Sequence, residues 1–563
     1  MHSAATRLTV TAFLVLGLIA GCAPTQTVPT GASPAPSAAP VRGGTLIFAL
    51  SQEPALLLPM FNTSSAAGLV LNTVFDGLTG IDAQGTYTPR LAKQVPTIAN
   101  GGVKLVGPRM DITYELNSGI TWADGTPFTS ADVKFTWELI MKSAVISREG
   151  YDLIDSVDTP TPTTVVFHYR QLYAPYLTRF GTILPKAALE KEADPAKSAY
   201  ARAPFGTGPF KVTESVAGDH VTVERNPSYR VKDRPYLDRI YFRIVPSVDA
   251  ALAQLKAGEV DYVWNLSDAL VPGIEKDPSI TVLAIPGPTV ERIELNQAKP
   301  ADPADPAVRH PVLGDLPMRR ALNLATPKQQ IIDKLLNGRA KVGTSPVSQG
   351  WASPKGLAQE AYDLTLANKV LDDAGWAKGP DGIRAKAGVR ASITITSTTG
   401  ARLREQIESV LVDEWKRIGV ELSIRNLPSS VLLSNWEQGD PRARGSFDAV
   451  LYASTPQIDP HTTITRYTTS GIPTAANKGV GQNFTRFSHR DADAAIAEAG
   501  STVDQVRRAE LYAKALKLLN DDVAIIWLYD KNSIDAHRSR VFGVSGNIWL
   551  ATTASAVDWW IKK

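Results

Sequence analysis

The chain has 563 residues but a single cysteine, Cys22, so it cannot form an internal disulfide. It also lacks a charge surplus, because 59 Lys and Arg residues face 56 Asp and Glu residues and no basic run exceeds two. Nucleic acid is therefore not an expected partner, since phosphate binding requires a concentrated basic patch. Beyond Ala20 no apolar run reaches the roughly 18 residues needed to span a bilayer, so no later transmembrane helix is expected.

Signatures of the common hydrolases and nucleotide-binding proteins are also missing. The seven histidines are far apart, with no HExxH motif and no pair four residues apart for zinc. There is no GxSxG elbow and no GxxxxGK[ST] phosphate loop. We expect no catalytic residue, cofactor or metal, although a glycosidase carboxylate pair distant in sequence would leave no motif. Asp302, Asp305 and Asp315 lie in a proline-rich segment that predicts a solvated loop, with a calcium site as the alternative.

The N-terminal residues resemble an export leader. The apolar run from Leu8 to Ala20 has the length of a signal-peptide core and is too short to span a bilayer. Residues 18–22 read Leu-Ile-Ala-Gly-Cys, and small residues directly before a cysteine resemble the bacterial lipobox. We expect residues 1–22 to be a lipoprotein signal peptide and Cys22 to be lipidated. An ordinary export signal with an incidental cysteine is the alternative.

A low-complexity segment follows the leader. Residues 23–42 hold five prolines, no aromatic residue, and otherwise almost only Ala, Ser, Thr and Gly. Such a composition cannot bury enough apolar area to offset the entropy of ordering. We interpret residues 23–42 as a disordered tether between a lipid anchor and a soluble body.

Local patterns in the rest of the chain favour an α/β fold. An apolar stripe over residues 403–418 predicts a helix, and alternation over 420–424 predicts a strand. Capping-box patterns predict helix starts at Thr326 and Thr502, and Thr129 with Asp132 predicts another capped helix. Further strands are predicted over Thr164–Tyr169, His220–Glu224 and Ile240–Val245.

Short phrases then follow one another in the order typical of a known family. They include Gly43-Gly44-Thr45-Leu46, Val74-Phe75-Asp76-Gly77-Leu78-Thr79, Thr121-Trp122-Ala123-Asp124-Gly125-Thr126-Pro127-Phe128-Thr129, Gly206-Thr207-Gly208-Pro209-Phe210-Lys211, Leu255-Lys256-Ala257-Gly258-Glu259, Arg319-Arg320-Ala321-Leu322-Asn323 and Arg508-Ala509-Glu510-Leu511-Tyr512. Over residues 43–545 the chain resembles solute-binding protein family 5, which contains the oligopeptide-, dipeptide- and nickel-binding proteins of ABC importers.

The resemblance implies a two-lobed periplasmic-binding-protein fold of the class II type, which works by hinge closure. It implies that lobe I comprises residues 43–86, 207–292 and 525–563, that an extra subdomain of lobe I comprises 87–206, and that lobe II comprises 293–524. The two segments that cross between the lobes are expected near 293–296 and 524–529.

The resemblance also implies a function. The chain would be a receptor on the extracytoplasmic face of a bacterial membrane, held by the lipid on Cys22, that captures a small solute and delivers it to an ABC permease and its ATPase. We expect a monomer without enzymatic activity. The alternatives are a surface hydrolase or a sensory lipoprotein on the same scaffold.

One departure from the family concerns the ligand. In peptide-binding relatives a lobe II aspartate pairs with the ligand's free α-amino group, and aligning the closing Asp-Pro puts Pro456 at that place. Proline cannot ionise, and a buried ammonium without a partner is costly, so a free peptide N-terminus is disfavoured. Asp459 is the alternative amine partner. Nickel is also disfavoured, because only His461 lies near this loop, and an uncharged oligosaccharide-like solute is the alternative to a peptide.

Ligand contacts are expected at loops beyond strand ends, where aromatic faces and polar groups converge. The predicted contacts are Ser51, Gln52, Glu53, Phe75, Trp264 and Asn265 from lobe I, and Trp351, Tyr452, Ser454, Thr455 and Asn483 from lobe II.

Overall fold

The computed structural model describes residues 39–562 apart from 55, 62, 63, 144, 146 and 435. The predicted signal peptide, the lipidation site Cys22 and residues 23–38 of the predicted tether lie outside the described residues. Within the described part, no helix combines the length and the apolar character that a membrane crossing requires.

One mixed sheet of eleven strands organises most of the chain. Its two longest strands, Ile280–Leu295 and Ile525–Arg538, pair antiparallel along their length. From the second of these the sheet continues through Tyr262–Val263, Thr45–Leu50, Arg239–Ile244, His220–Arg225 and Phe210–Val216, and Ala340–Val342 pairs with it separately. From the first it continues through Ala449–Ser454, Ser392–Thr396 and Glu421–Ile424.

The two long strands therefore belong to both parts of the sheet, and their pairing is interrupted in the middle. The register shifts between Pro286 and Val290, where proline offers no N–H to the ladder. A Cβ on Gly287 would lie 2.3 Å from the carbonyl oxygen of Lys531, so only glycine allows this close approach. The predicted crossing points at 293–296 and 524–529 overlap the same two strands, a few residues from this break.

Each part of the sheet has its own apolar core. On the first part, Phe48 stacks on Tyr262 at 4.7 Å and Trp559 stacks on Tyr262 at 5.2 Å, and helix Ser65–Val74 packs against the same cluster. Helix Val248–Ala257 covers a neighbouring cluster. The core of the second part is built with helices Leu316–Leu324, Lys328–Leu335, Leu364–Asp373 and Arg402–Arg417.

Two further cores lie beside the main sheet. Strands Val103–Val106, Arg109–Glu115, Thr164–Tyr169 and Ile154–Thr161 form a separate antiparallel sheet that packs on helix Ser130–Lys142. Helices Arg490–Gly500 and Gln505–Asp521 pack on each other and on the long strands. The remaining short helices are Lys186–Leu189, Ser429–Leu432, Pro441–Arg444 and His461–Thr465. Short strands occur at Thr79–Ile81, Tyr87–Pro89, Ala377–Lys378, Arg384–Lys386, Val389–Arg390, Val541–Phe542 and Trp560–Ile561.

The helix and strand predictions are largely confirmed, whereas two of the capping predictions are wrong. The helix of the 403–418 stripe spans Arg402–Arg417, and the strand Thr164–Tyr169 has the predicted bounds. Thr129 and Asp132 form the full capping box. The helix after Thr326 has Pro327 as its N-cap and no side-chain cap, because the Thr326 hydroxyl donates to the Leu322 carbonyl.

The second correction concerns the helix predicted to start at Thr502. That helix begins at Gln505, and its cap is Asp504, whose carboxylate accepts a hydrogen bond from the backbone N–H of Arg507. The hydroxyl of Thr502 instead donates to the Glu498 carbonyl of the preceding helix. An aspartate nearer the helix therefore satisfies the free N–H groups in its place.

Candidate functional site

Two adjoining cavities lie between segments from the first 181 residues of the chain and segments that follow residue 350. The first, about 440 Å³, is bounded by residues 72–90 and 177–181 on one side and by 455–458 on the other. The second, about 670 Å³, is bounded by residues 85–99 and 174–177 on one side and by Trp351, Asp459 and 503–508 on the other. Tyr87 and Leu177 line both cavities, which therefore adjoin, and we call the two together the elongated site. Volumes of this size suit small to oligomeric solutes.

Close backbone contacts shape the wall of the first cavity. A Cβ on Gly77 would lie 2.6 Å from the carbonyl of Gly181, and both glycines line the cavity. A Cβ on Gly206 or Gly208 would lie 2.2 or 2.5 Å from the Val74 carbonyl oxygen. The Gly-Thr-Gly-Pro phrase thus allows one chain segment to pack directly on the end of a helix.

Asp76 is the carboxylate of the first cavity, and it pairs with two arginines. Its side chain is almost fully buried and lies 3.3 Å from Arg90 and 3.2 Å from Arg230. Arg90 lines the cavity as well, and because Asp76 balances one of the two guanidinium groups, the cluster of three side chains keeps one positive charge. A buried carboxylate between two guanidinium groups is firmly held in place.

Asp459 is the buried carboxylate of the second cavity. Its two oxygens each lie 2.7 Å from the guanidinium of Arg508, in a bidentate pair. The same guanidinium lies 5.1 Å from the ring centre of Trp351 and 5.5 Å from that of Tyr512. Asp459 was the alternative partner for a ligand amine, because Pro456 cannot fill that role. Its carboxylate is instead paired with Arg508 of the same protein. Tyr512 in turn contacts His461 Nδ1 at 3.0 Å, and burial lowers the pKa of that histidine.

Aromatic groups divide and cover the site. Tyr87 lines both cavities, and its buried hydroxyl has no hydrogen-bond partner among the described residues. The indole of Trp549 lies against two glycines of different segments, since a Cβ on Gly85 or Gly350 would come within 2.7 or 2.8 Å of it. Both glycines have positive φ, 83° and 82°, which a side chain would strain.

Three of the predicted contact residues line these cavities. Phe75 and Thr455 lie on the first cavity, and Trp351 lies on the second. The hydroxyl of Thr455 is 2.7 Å from that of Thr289, which stands beside the break in the long strands. The indole Nε1 of Trp351 donates to the Ile458 carbonyl at 3.2 Å and so braces the loop that carries Pro456 and Asp459.

The lobe I predictions other than Phe75 line neither cavity. Ser51 and Gln52 follow strand Thr45–Leu50 at the surface. Glu53 accepts a hydrogen bond from the backbone N–H of Gly218 at 3.1 Å. Trp264 packs on the core of the first part of the sheet. Asn265 has a φ of 57° and donates its backbone N–H to Asp535 at 3.0 Å.

Three lobe II predictions likewise lie outside the cavity walls. Tyr452 is buried between the guanidinium groups of Arg292 and Arg442, whose Cζ atoms lie 4.2 and 5.1 Å from its ring centre. The Ser454 hydroxyl is buried without a partner among the described residues. The amide of Asn483 is fully buried and donates to the carbonyls of Thr468 and Phe487.

Most of the cavity residues had no predicted role, among them Tyr87, Arg179, Arg508 and Trp549. Arg508 opens one of the quoted family phrases but carried no predicted role. Arg179 lies four residues before Ile183-Leu184-Pro185-Lys186, a further short phrase that resembles the family, and this nearness was its one signal in the sequence. Tyr87 and Trp549 stand 462 positions apart in the chain, and nothing in the sequence connects them.

The three predicted loop aspartates do not converge. Asp302 pairs with Arg444 at 2.8 Å, Asp305 accepts from the Ala307 backbone, and Asp315 accepts from Lys386 and from the indole of Trp376. Within the described residues no group of three or more His, Cys, Asp or Glu side chains has the geometry to hold a metal ion. The loop therefore uses its carboxylates in separate protein contacts.

Known proteins show clear similarity to this chain. A family model described as bacterial extracellular solute-binding proteins, family 5, middle part, matches residues 86–474. The oligopeptide-binding protein AppA of Bacillus subtilis is 25% identical over 506 residues, covering 88% of this chain and 87% of the relative. Protein XP55 of Streptomyces lividans is 27% identical over 505 residues, covering 88% and 86%. The crystal structure of NikZ from Campylobacter jejuni with Ni(L-His) superposes with a TM-score of 0.70 at 24% identity, covering 92% of this chain and 99% of that one, and therefore shares the fold.

Proposed function

Since the chain belongs to the bacterial extracellular solute-binding proteins of family 5, we propose that it captures a solute between two lobes and delivers it to an ABC importer. The protein is an extracytoplasmic solute-binding protein of the ABC type and not an enzyme. The proposed partners are the permease and ATPase subunits, and the proposed oligomeric state is a monomer. We retain the predicted bounds: lobe I at 43–86, 207–292 and 525–563, its subdomain at 87–206, and lobe II at 293–524.

One observation carries the proposal. The elongated site is walled by segments that lie far apart in the chain and that are joined through the two long strands, whose pairing breaks between Pro286 and Val290. A small rotation at this break would separate residues 72–90 from 455–458 and open the first cavity. Hinge closure around a solute is the usual working motion of such a design.

The solute is proposed to be a peptide or another oligomeric molecule, with Phe75, Thr455 and Trp351 as contacts. Similarity to a protein named for oligopeptide binding supports the peptide class. Against a free peptide amine stand Pro456 and the pairing of Asp459 with Arg508. The other predicted contacts line neither cavity, so we give them no weight in this proposal.

Binding is expected to close and stabilise the protein. A co-purified solute identified by native mass spectrometry, added back at a hundredfold excess over Kd, should stabilise the fold by about 2.7 kcal/mol. It should also lower the radius of gyration in small-angle X-ray scattering, because the lobes approach each other. The control is protein stripped of solute by unfolding and refolding. Unchanged scattering curves, with the solute shown to be bound, would contradict hinge closure.

Membrane attachment is proposed to depend on Cys22. Substituting Cys22→Ser should abolish incorporation of labelled palmitate and shift the protein from the membrane fraction to the soluble fraction, because the acyl chains supply the membrane affinity. A Ser3→Ala variant in the same leader should behave as wild type. Wild-type labelling of the Cys22→Ser protein would rule out the lipobox interpretation.

A further inference from the structure

Every carboxylate that lines the elongated site already has a partner within the protein. Asp76 contacts two arginines at 3.3 and 3.2 Å. Asp459 contacts Arg508 twice at 2.7 Å. Asp504 accepts a backbone N–H as the cap of the helix that begins at Gln505. Along the described walls of the two cavities, the two buried carboxylates are therefore held in ion pairs, and the exposed Asp504, which forms no ion pair among the described residues, acts as a helix cap.

Arg179 is the charged residue of the first cavity wall that has no carboxylate partner among the described residues. Its guanidinium donates to the backbone carbonyl of Glu149 at 2.5 Å and to the Thr178 hydroxyl at 2.7 and 2.9 Å, and it lies 5.5 Å from the ring centre of Tyr151. The carboxylate of Glu149 accepts from the hydroxyl of Thr462 instead. Among the residues that the structure describes, Arg179 forms no ion pair. Its contacts hold the guanidinium at the wall and leave its charge for a ligand.

Two further donors in the site lack an acceptor. The hydroxyl of Tyr87 and the indole Nε1 of Trp549 are buried, and neither has a hydrogen-bond partner in the described part of the protein. Burial raises the pKa of Tyr87 far above its ordinary value, so the phenol keeps its proton and remains a donor. The charge of Asp459 also raises this pKa, whereas the charges of Arg179 and Arg508 lower it, and Tyr87 and Arg179 line the same first cavity. An unpaired buried donor is unfavourable until a ligand oxygen meets it.

On the premise of the receptor function proposed above, we propose that the solute carries a carboxylate, which Arg179 binds in the first cavity while the Tyr87 hydroxyl donates to a neighbouring solute oxygen. A planar guanidinium binds a carboxylate through two parallel hydrogen bonds, which fixes orientation as well as charge. The solute class is an acid whose amino group is absent or blocked, such as an N-acylated peptide or an acidic oligosaccharide. Recognition through the acid group takes the place of the amine recognition that Pro456 cannot provide.

Matched acid and neutral probes test this assignment. One pair is an N-acetylated tetrapeptide library with a free C-terminal carboxylate and the same library as C-terminal amides. The other pair is a set of oligogalacturonates and their methyl esters. In thermal-shift titrations with the full-length protein, the acid form of at least one pair should bind at least tenfold more tightly than its neutral form. Arg179→Gln should remove this preference, and Arg179→Lys should retain part of it.

Arg148→Gln is the matched control, because Arg148 lies in the same subdomain, donates to the carbonyls of Ile140 and Ser143, and lines neither cavity. It should keep the wild-type preference for the acid. Equal binding of acid and neutral forms, or an unchanged preference in Arg179→Gln, would overturn the assignment. Closure around a co-purified solute that lacks a carboxylate would overturn it too, and would leave the receptor function intact. Absence of any solute-dependent closure would instead count against the receptor function itself.

Discussion

Replacing Arg508 with alanine is expected to lower the free energy of unfolding by about 3–5 kcal/mol, the range measured when one partner of a buried ion pair is removed. The side chains of Arg508 and Asp459 are only 4% and 7% exposed. Without the guanidinium, the Asp459 carboxylate would stay buried with no counter-charge. The contacts of Arg508 with the rings of Trp351 and Tyr512 would be lost as well. The urea midpoint, followed by tryptophan fluorescence, measures the change.

The preceding residue on the same helix supplies the control. Arg507 pairs with Glu498 and Glu510, and its side chain and that of Glu498 are about half exposed, at 51% and 52%. Exposed pairs contribute at most about 1 kcal/mol, so Arg507→Ala should leave the midpoint nearly unchanged. Both variants replace arginine with alanine on the same helix, so the change in helix propensity is the same. The difference between their free energies of unfolding therefore reports the contribution of the buried ion pair. Similar midpoints for the two variants would show that the Asp459–Arg508 pair does not stabilise the fold.

Replacing Asp530 with asparagine is expected to stabilise the protein by about 2–3 kcal/mol at pH 7 and by almost nothing near pH 4, since a pKa change of one corresponds to about 1.4 kcal/mol. Asp530 is buried at the break in the long strands, opposite Val290 and Lys341, with one carboxylate oxygen unpartnered among the described residues. Burial raises the pKa of Asp530 to about 6, against the lowering effects of Ser348 and Lys341.

The direction follows from proton binding. Between roughly pH 4 and pH 6 the folded protein keeps the Asp530 proton that the unfolded chain releases, so the contribution of this group to stability falls as pH rises through that window. Asparagine cannot ionise, and the advantage of the variant should therefore grow across the same window and level off above it. Unfolding curves in urea at pH 4, 5, 6 and 7 measure it.

Lys341→Met provides a second variant for the same group. Lys341 is exposed and lowers the pKa of Asp530, so its loss should move the upper end of the window to higher pH. A constant difference between the Asp530→Asn variant and wild type from pH 4 to pH 7 would contradict the assignment. A window unmoved by Lys341→Met would show that this lysine does not act on Asp530.

The sequence by itself determined the local elements and the family. The apolar stripe of the helix Arg402–Arg417 and the alternation of the strand Thr164–Tyr169 are visible because helices and strands repeat over a few neighbouring residues. The order of short phrases predicted the family, which the match over residues 86–474 then established. Two helix starts were wrong, because several nearby Thr and Asp residues compete to cap the same end.

Only the tertiary structure decided which side chains meet in the site. Asp459 and Arg508 stand 49 positions apart, and the sequence presented Asp459 as a possible amine partner until their pairing was seen. Trp549 lies against both Gly85 and Gly350, three residues from distant parts of the chain. Tyr452 looked like a cleft residue but is buried between two arginines. Local periodicity depends on neighbouring residues and is visible in the sequence. Charge pairing, burial and cavity walls depend on which distant segments the fold brings together.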